Sequence, residues 1–212
     1  MPAESPAETL HRAVSEYGGL ELAPSQERAL MAYLDELQHW NKAYNLTAIK
    51  GLAAMVVRHV LDSLSVSPWI NGRRLLDAGT GAGLPGVPLA IAMPVLEVTL
   101  LDSSGKKIRF LNHVRRALAI ENIFPVQARL ENYDPPRPFD AVISRAFTSL
   151  ASFARAARHL APGTSRLLAM KARYPESELG ELPDWVTVES AEKLTVPGLQ
   201  EERHLVIMSV NP

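Results

Sequence analysis

The chain has no cysteine among its 212 residues. Disulfide bonds, thiolate metal sites and thiol nucleophiles are therefore excluded, and a reducing compartment is the simpler assumption. The six histidines are scattered without the helical spacing of metal-ligand pairs, so we expect no metal site. No run of 18 apolar residues occurs, and the first residues lack the basic patch and apolar run of a signal peptide. We therefore expect a cytoplasmic protein that does not enter a membrane.

The net charge does not indicate a class of binding partner. The formal charge is -1 at pH 7, which provides no global indication of nucleic-acid binding. Basic residues are nevertheless concentrated in one short helical stretch that contains no acid: Lys106, Lys107, Arg109, Arg115 and Arg116. This stretch is consistent with a phosphate track and equally with an ordinary solvated helix face.

A glycine-rich segment is the strongest chemical signal in the chain. The apolar run Leu75-Leu76-Asp77-Ala78 is followed by glycines at positions 79, 81 and 83. This order predicts a strand, a tight turn and a helix that cradle a nucleoside, with glycines because a Cβ would obstruct the turn and the ligand. Asp102 ends the next predicted strand, where its carboxylate can accept hydrogen bonds from two ribose hydroxyls.

The glycine pattern admits two ligands. Gly81-Ala82-Gly83-Leu84-Pro85-Gly86 also satisfies the dinucleotide pattern G-x-G-x-x-G, so a nicotinamide or flavin enzyme is one alternative, and a turn without a ligand is another. Asp77 favours S-adenosylmethionine, because a carboxylate close to the turn suits the cationic end of a cofactor that carries no phosphate.

The coarse secondary structure changes character near Arg73. Before it, helices are predicted over three segments: 9–17, closed by Gly18-Gly19; a longer helix opened by Pro24 and Ser25; and 52–64. After it, strands at 74–77, 97–102, 123–127, 139–144 and 165–171 alternate with helices near 84–93, 106–120 and 149–160. This alternation predicts a parallel sheet with right-handed crossovers. The last two strands, at 186–196 and 203–210, have no helix between them, so we expect them to pair antiparallel and close the sheet edge.

This architecture resembles the class I S-adenosylmethionine-dependent methyltransferases. The expected fold class is α/β and Rossmann-like, with a seven-stranded, mostly parallel sheet and an antiparallel last strand. Residues 1–70 would form an N-terminal helical extension packed on a methyltransferase core of residues 71–212.

In that class the chemistry usually follows the fourth strand, which here ends in Ser144-Arg145-Ala146-Phe147. Methylation at carbon 5 of a pyrimidine is excluded because it needs a thiolate. Amino-group methyltransferases carry an Asn or Asp, two prolines and an aromatic at this place, and this sequence does not. Asp134-Pro135-Pro136-Arg137 imitates that motif but precedes the strand, and we interpret it as a turn.

Ordered segments along most of the chain closely resemble the glucose-inhibited division protein B family, the small-subunit rRNA guanine-N7 methyltransferases. The matching segments are Trp40-Asn41-Lys42-Ala43-Tyr44-Asn45-Leu46-Thr47, Arg58-His59-Val60-Leu61-Asp62-Ser63-Leu64, the glycine turn with Leu84-Pro85-Gly86, Leu101-Asp102-Ser103, Ser144-Arg145-Ala146-Phe147 and Glu202-Arg203-His204-Leu205. The resemblance implies methyl transfer from S-adenosylmethionine to N7 of guanine 527 in 16S rRNA, with S-adenosylhomocysteine as product and a link with streptomycin sensitivity. The expected partner is the small ribosomal subunit, and we expect a monomer.

The resemblance also implies a cofactor site. Carried over motif by motif, the site comprises Gly79, Leu84, Leu130, Glu131 and Arg145, with Asp102 as the ribose acid; the glycine pattern adds Asp77, Gly81 and Gly83. Glu131 fits an acceptor for the adenine amino group, and Leu130 offers a backbone N–H and an apolar surface. Leu84 is equally consistent with a helix-core residue and Glu131 with a solvated acid.

Arg145 and its neighbour Ser144 are the candidate catalytic residues. A charge at the end of a buried strand is costly unless paired, so Arg145 predicts a carboxylate, phosphate or base edge nearby, and a structural ion pair is the alternative. RNA contact is expected of Asn41, Asn45, Lys106, Lys107, Lys171, Arg173, Arg203 and His204. Each of these is also consistent with capping or surface solvation.

The expected mechanism is a direct in-line displacement that needs no general base, because guanine N7 presents a lone pair and loses no proton. The target base would have to leave its stack. A methyltransferase acting on another RNA base or a small molecule is an alternative, as is a cofactor-sensing module without catalysis.

Overall fold

A computed structural model describes residues 4–16, 20–145 and 147–211. Its N-terminal part is helical: α1 (Pro6–Glu16), α2 (Pro24–Tyr44), α3 (Leu52–Met55), a π-helical segment (Val56–Leu61), α4 (Asp62–Leu64) and a 3-10 turn (Ser67–Trp69). The predicted end of the first helix, at residues 17–19, lies outside the described residues. Within the described ranges, no helix is both long and apolar enough to cross a membrane.

The rest of the chain forms one seven-stranded sheet in the order β3-β2-β1-β4-β5-β7-β6. Its strands are β1 (Arg74–Ala78), β2 (Glu97–Asp102), β3 (Ile123–Gln127), β4 (Ala141–Ser144), β5 (Arg166–Lys171), β6 (Val186–Leu194) and β7 (Arg203–Val210). The connecting helices are α5 (Gly86–Ala92), α6 (Gly105–Ala117), α7 (Leu150–Ala157) and α8 (Glu176–Leu179), with 3-10 turns at Leu130–Asn132 and Arg158–Leu160. Strand β7 runs antiparallel to both of its neighbours, β5 and β6, and the other pairs of the sheet are parallel, which confirms the predicted sheet.

Several element bounds differ from the sequence-based expectation. The fourth strand begins at Ala141, and the carboxylate of Asp140 just before it accepts from the backbone N–H groups of Arg73 and Arg74, at 2.7 and 2.8 Å. Helix α5 begins at Gly86, where the chain is still held in the turn by a hydrogen bond to Asp77. The predicted helix over 52–64 is helical throughout but changes to π-helical geometry in its middle.

Successive apolar residues along the strands pack alternately into two hydrophobic cores, one on each face of the sheet. Leu75 and Leu100 face one core, whereas their neighbours Leu76 and Leu101 face the other. This is the period-two alternation of a sheet that is covered on both faces. Each leucine is at most 1% exposed, and full burial of such a side chain contributes about 1.5–3 kcal/mol.

The N-terminal helices belong to the first of these cores. Leu30, Leu34 and Leu37 recur at helical spacing on α2 and pack in the same apolar cluster as Leu75 and Leu100. Polar contacts reinforce this packing.

Two side chains of α2 form these polar contacts. The hydroxyl of Tyr33 donates to the carbonyl of Ala82 at 2.8 Å, and Gln26 donates to the carbonyls of Ile91 and Ala92. Helix α2 therefore supports the glycine turn and the end of α5.

Gly83 lies at a tightly packed point of the glycine turn. It has φ +98°, and an added Cβ would lie 2.5 Å from Cγ2 of Val87 and 2.8 Å from Cδ2 of Leu111. Gly163 also has positive φ (+63°) but open space around it. We expect Gly83→Ala to lower the free energy of unfolding by about 2–4 kcal/mol and Gly163→Ala by about 1–2 kcal/mol. Urea unfolding measures both, and equal losses would contradict the tight packing.

Candidate active site

The glycine turn after β1 is held from below by Asp77. Its carboxylate oxygen Oδ2 accepts hydrogen bonds from the Thr80 hydroxyl at 2.6 Å and from the Gly86 N–H at 2.8 Å. Gly79 and Gly81 have φ of 71° and 62°, a region open to glycine at no steric cost. The turn is thus shaped by its glycines and fixed by one buried acid.

Asp77 itself is fully buried. Burial raises its pKa to about 6, and the hydrogen bonds from Thr80 and Gly86 and the charge of Arg145 oppose this rise. Asp77 is not among the described residues that line the neighbouring cleft. The structure therefore gives it a bracing position beneath the turn, and its predicted contact with the cofactor stays a prediction.

Asp102 lies at the carboxyl end of β2, directly beside the turn. Oδ2 accepts from the Gly81 N–H at 3.0 Å and from Nζ of Lys107 at 3.1 Å, while Oδ1 accepts from the Ser104 N–H at 2.9 Å. Its carboxylate thus connects the turn to the start of α6. Lys107 is paired with this acid, and its predicted contact with RNA stays a prediction.

A cleft of about 240 Å³ opens in front of Asp102. It is lined by Gly79, Leu101, Asp102, Ser103, Lys107, Ala128, Arg129, Leu130, Glu131 and Phe147. Four of the predicted cofactor residues, Gly79, Asp102, Leu130 and Glu131, are therefore brought together. Leu84 is buried in the apolar cluster near the N-terminus of α5, the alternative position noted for it above.

The cleft suits a nucleoside chemically. A carboxylate has about four acceptor positions, and the hydrogen bonds of Asp102 come from three donors, one of them the movable side chain of Lys107. Leu130 is apolar and 7% exposed, as a surface for an aromatic ring would be. Glu131 adds an exposed acceptor. These residues fit ribose hydroxyls and an adenine, so the donor and acceptor set agrees with S-adenosylmethionine.

A second cavity, of about 280 Å³, lies at the carboxyl ends of β4 and β5, and we call it the basic cavity. It is lined by Ile49, Arg58, His59, Asp62, Arg145, Met170, Lys171, Ala172 and Arg203. Since β1 and β4 are neighbouring parallel strands, the basic cavity and the cleft both lie at the carboxyl ends of the strands.

Arg145 lines the basic cavity and forms an ion pair, which is the structural alternative for it, and its catalytic and cofactor-binding roles stay predictions. Its Nη1 donates to Oδ2 of Asp62 at 3.0 Å, and Nε of Arg203 donates to Oδ1 of the same carboxylate at 2.8 Å. Ser144 is buried, and its hydroxyl donates to the carbonyl of Ala78 at 2.7 Å, which ties β4 to β1. Ser144 lines neither cavity, so its catalytic assignment stays a prediction; Ala146 lies outside the described residues.

Most of the residues predicted to bind RNA already have intramolecular partners. Lys171 pairs with Glu178 at 2.7 Å, and Nζ of Lys106 donates to the carbonyl of Tyr44 at 3.1 Å. The side-chain amide of Asn41 forms two hydrogen bonds with the backbone of Thr47, both at 2.9 Å. These contacts are partly exposed, so they organise the surface without excluding RNA.

The remaining predicted RNA contacts differ in exposure. Asn45 is exposed and ends α2 in the left-handed conformation, with φ 50°. Arg173 is exposed beside the basic cavity. His204 is 6% exposed and lies edge-on to Tyr174, with ring centroids 5.6 Å apart. Tyr174 is 50% exposed, so it presents far more surface than His204 does.

Arg58, His59 and Asp62 line the basic cavity, although no role for them follows from the sequence analysis. One signal for them exists in the sequence. Charged and polar side chains at these three positions interrupt an otherwise apolar helical run, where burial makes them costly unless they are paired. Their partners cannot be identified without the fold.

His59 is held neutral. Nδ1 lies 3.0 Å from the carbonyl of Arg58, to which it can only donate, and Nε2 lies 2.8 Å from the Thr47 hydroxyl, whose proton it accepts. Burial lowers the pKa of His59 to about 4, and the positive charge of Arg145 contributes. The imidazole is consequently uncharged at neutral pH.

Comparison with known proteins agrees with this geometry. The sequence model of the GidB family, described as rRNA small subunit methyltransferase G, matches residues 26–206. The chain belongs to the GidB family. Relatives in the family named "Ribosomal RNA small subunit methyltransferase G", from Salmonella arizonae and Salmonella typhimurium, are each 51% identical over 193 residues, which cover 91% of this chain and 93% of the relative.

Solved structures share the fold of the family at low sequence identity. A glycopeptide N-methyltransferase, MtfA, complexed with S-adenosylmethionine, has a TM-score of 0.59 at 14% identity and covers 73% of this chain and 87% of its own. TrmN from Thermus thermophilus has a TM-score of 0.57 at 19% identity and covers 80% of this chain and 53% of its own. The Rossmann-like methyltransferase fold expected from the sequence is thereby confirmed.

The neutral His59 predicts a specific pH dependence of stability. Because its pKa is about 6.5 when unfolded and about 4 when folded, protons bind the unfolded chain more tightly, and stability falls as pH drops from 6.5 towards 4. Between pH 7 and pH 5 the loss from this one group is about 2 kcal/mol. In His59→Gln that part of the loss should vanish.

Urea unfolding of wild type and variant at pH 7 and pH 5 measures the difference. The control is His11→Gln, since the His11 side chain is 71% exposed. If wild type, His59→Gln and the control lose the same free energy between the two pH values, His59 is not held neutral by the fold.

Proposed function

We propose that this chain transfers a methyl group from S-adenosylmethionine to N7 of guanine 527 in 16S rRNA of the small ribosomal subunit. The observation that carries the proposal is the match to rRNA small subunit methyltransferase G along most of the chain. The geometry supports it, because a nucleoside-sized cleft and a cavity lined by cations lie along one edge of the sheet. The carboxyl edge of a doubly wound sheet is where such folds bind ligands.

The cleft residues divide the binding of the cofactor between them. S-adenosylmethionine supplies, when bound, an electrophilic methyl group on a sulfonium. Asp102 would accept hydrogen bonds from the ribose hydroxyls, with Lys107 yielding its place on the carboxylate. Leu130 and Glu131 would hold the adenine by apolar contact and by accepting from its amino group.

The basic cavity provides the charges that an rRNA nucleotide needs. Asp62 holds Arg145 and Arg203 side by side, and Arg58 and Lys171, each paired with a glutamate, line the same cavity. Planar guanidiniums bind phosphate oxygens and base edges with fixed geometry. Such contacts would offset the few kcal/mol that a base costs when it leaves its stack.

Methylation at N7 requires no base from the enzyme. The nitrogen carries a lone pair in the plane of the ring and loses no proton on methylation. The imidazole and the carboxylate of the basic cavity, His59 and Asp62, are both occupied by intramolecular partners. The protein therefore contributes by positioning and by electrostatics.

We expect a single-turnover rate of methyl transfer that is nearly flat from about pH 6.5 to 8.5, because neither N7 nor an enzyme base titrates there. The assay uses radiolabelled methyl donor with 16S rRNA and with small subunits from a strain lacking this activity, followed by mapping of the methylated nucleotide. Arg145→Ala should slow transfer more than Arg145→Lys does.

Three outcomes would contradict the proposal. A tenfold rise in rate per pH unit through neutrality would indicate an enzyme base and another acceptor atom. Label at another base, or only on a small molecule, would change the substrate. Cofactor binding without transfer to either RNA preparation would indicate a binding module.

A further inference from the structure

Asp62 occupies a central place at the wall of the basic cavity. Its side chain is 3% exposed, and each of its oxygens accepts from a different guanidinium, Oδ2 from Arg145 at 3.0 Å and Oδ1 from Arg203 at 2.8 Å. The three residues come from distant parts of the chain: Asp62 opens α4, Arg145 follows β4 and Arg203 begins β7. One carboxylate thus sets the separation of two arginines at the sheet edge.

Stability alone is a weak reason for this arrangement. Desolvation of buried charges consumes most of their mutual attraction, and apolar residues of similar volume often stabilise a fold equally well. The arginines also keep part of their surface open, with side chains 28% exposed for Arg145 and 18% for Arg203. The pair therefore leaves guanidinium surface that a ligand can reach, and a guanidinium recognises phosphate and carboxylate groups with fixed geometry.

Arg145 and Arg203 both line the basic cavity, and each has more N–H donors than its partners use. A guanidinium has five N–H donors. Arg145 uses Nη1, which also reaches the Arg58 carbonyl at 3.4 Å, and Arg203 uses Nε and Nη1, the latter on the Glu202 carbonyl at 2.8 Å. Within residues 4–16, 20–145 and 147–211, neither Nη2 has a hydrogen-bond partner, and both arginines line the cavity.

The charge balance of the cavity points to an electron-rich ligand. Its other two cations are neutralised, Arg58 by an ion pair with Glu201 and Lys171 by Glu178. The cluster of Asp62, Arg145 and Arg203 therefore leaves one net positive charge, because two guanidiniums share a single carboxylate. A phosphate or the acceptor edge of a base satisfies that charge and the free donors together.

We propose that Asp62 is a positioning residue for methyl transfer, which holds the guanidiniums of Arg145 and Arg203 in the orientation that binds the target nucleotide. The inference rests on the proposed function and adds a residue to it. Asp62 acts through the two arginines, whose free N–H groups make the contact with RNA.

The test compares two carboxylates that both organise the backbone or side chains around them. Asp62→Asn removes the charge with little change in volume. Asp140→Asn is the matched control, because Asp140 binds the N–H groups of Arg73 and Arg74 at the amino ends of the strands, away from the basic cavity. Melting temperature, cofactor affinity and the single-turnover rate on 16S rRNA at saturating cofactor are measured for each.

We expect Asp62→Asn to lower the rate of methyl transfer about tenfold or more, because the guanidiniums lose their orientation. Asp140→Asn should change the rate by less than about twofold, even if its melting temperature falls as much as that of Asp62→Asn. Asp62→Glu, which keeps the charge but displaces the arginines, should retain most of the melting temperature and still be slow. In an Arg145→Ala/Arg203→Ala background, Asp62→Asn should cost no further rate, since it acts through those side chains.

Two results would overturn the inference. One is wild-type rate in Asp62→Asn. The other is a wild-type rate and a wild-type melting temperature in Asp62→Glu, which would indicate a purely structural ion pair. If Asp62→Asn does not fold, Asp62→Glu alone decides between the two roles. A wild-type protein that is inactive on both 16S rRNA and small subunits refutes the proposed function instead, so the two failures are distinguishable.

Discussion

The contact on which the sheet edge depends is the buried carboxylate of Asp77 beneath the glycine turn. By binding Thr80 and Gly86 it fixes both ends of the turn, and the turn in turn presents the Gly81 N–H to Asp102. The cost of burying the acid appears in its raised pKa. The two acids therefore have different tasks: Asp77 builds the turn, and Asp102 is left at the cleft with acceptor capacity.

The N-terminal helices are part of the site as well as part of the packing. Tyr33 on α2 supports the turn through Ala82, and Asp62 on α4 holds arginines from two strands. The π-helical segment Val56–Leu61 lies immediately before Asp62 and includes His59. Irregular helical turns of this kind are frequent at functional sites, and here the segment brings His59 and Asp62 to the basic cavity.

The sequence predicts the sheet and the cleft because their signals are local. Alternating strand and helix patterns predict a mostly parallel sheet that ends in an antiparallel pair, and the spacing from the glycines to Asp102 places the acid at the adjacent strand end. The ion pairs of Asp62 have no such local signal, since Arg145 and Arg203 lie 83 and 141 residues from it in the sequence. Likewise, no local pattern indicates that Lys107 folds back onto Asp102 or that Ser144 binds a backbone carbonyl; only the packed fold determines these pairings.

The central claim, that the cleft beside Asp102 holds S-adenosylmethionine by its ribose, is tested most directly by calorimetric titration of the cofactor into wild type, Asp102→Asn and the exposed-acid control Asp184→Asn. Asparagine keeps one acceptor oxygen, for the N–H of Gly81 or of Ser104, but loses the second acceptor oxygen and the charge. Each charge-assisted hydrogen bond contributes roughly 1.5–3 kcal/mol, so we expect affinity to fall about 30-fold or more in Asp102→Asn and to stay within about twofold in the control. Equal affinities in all three proteins would contradict the assignment of the cleft.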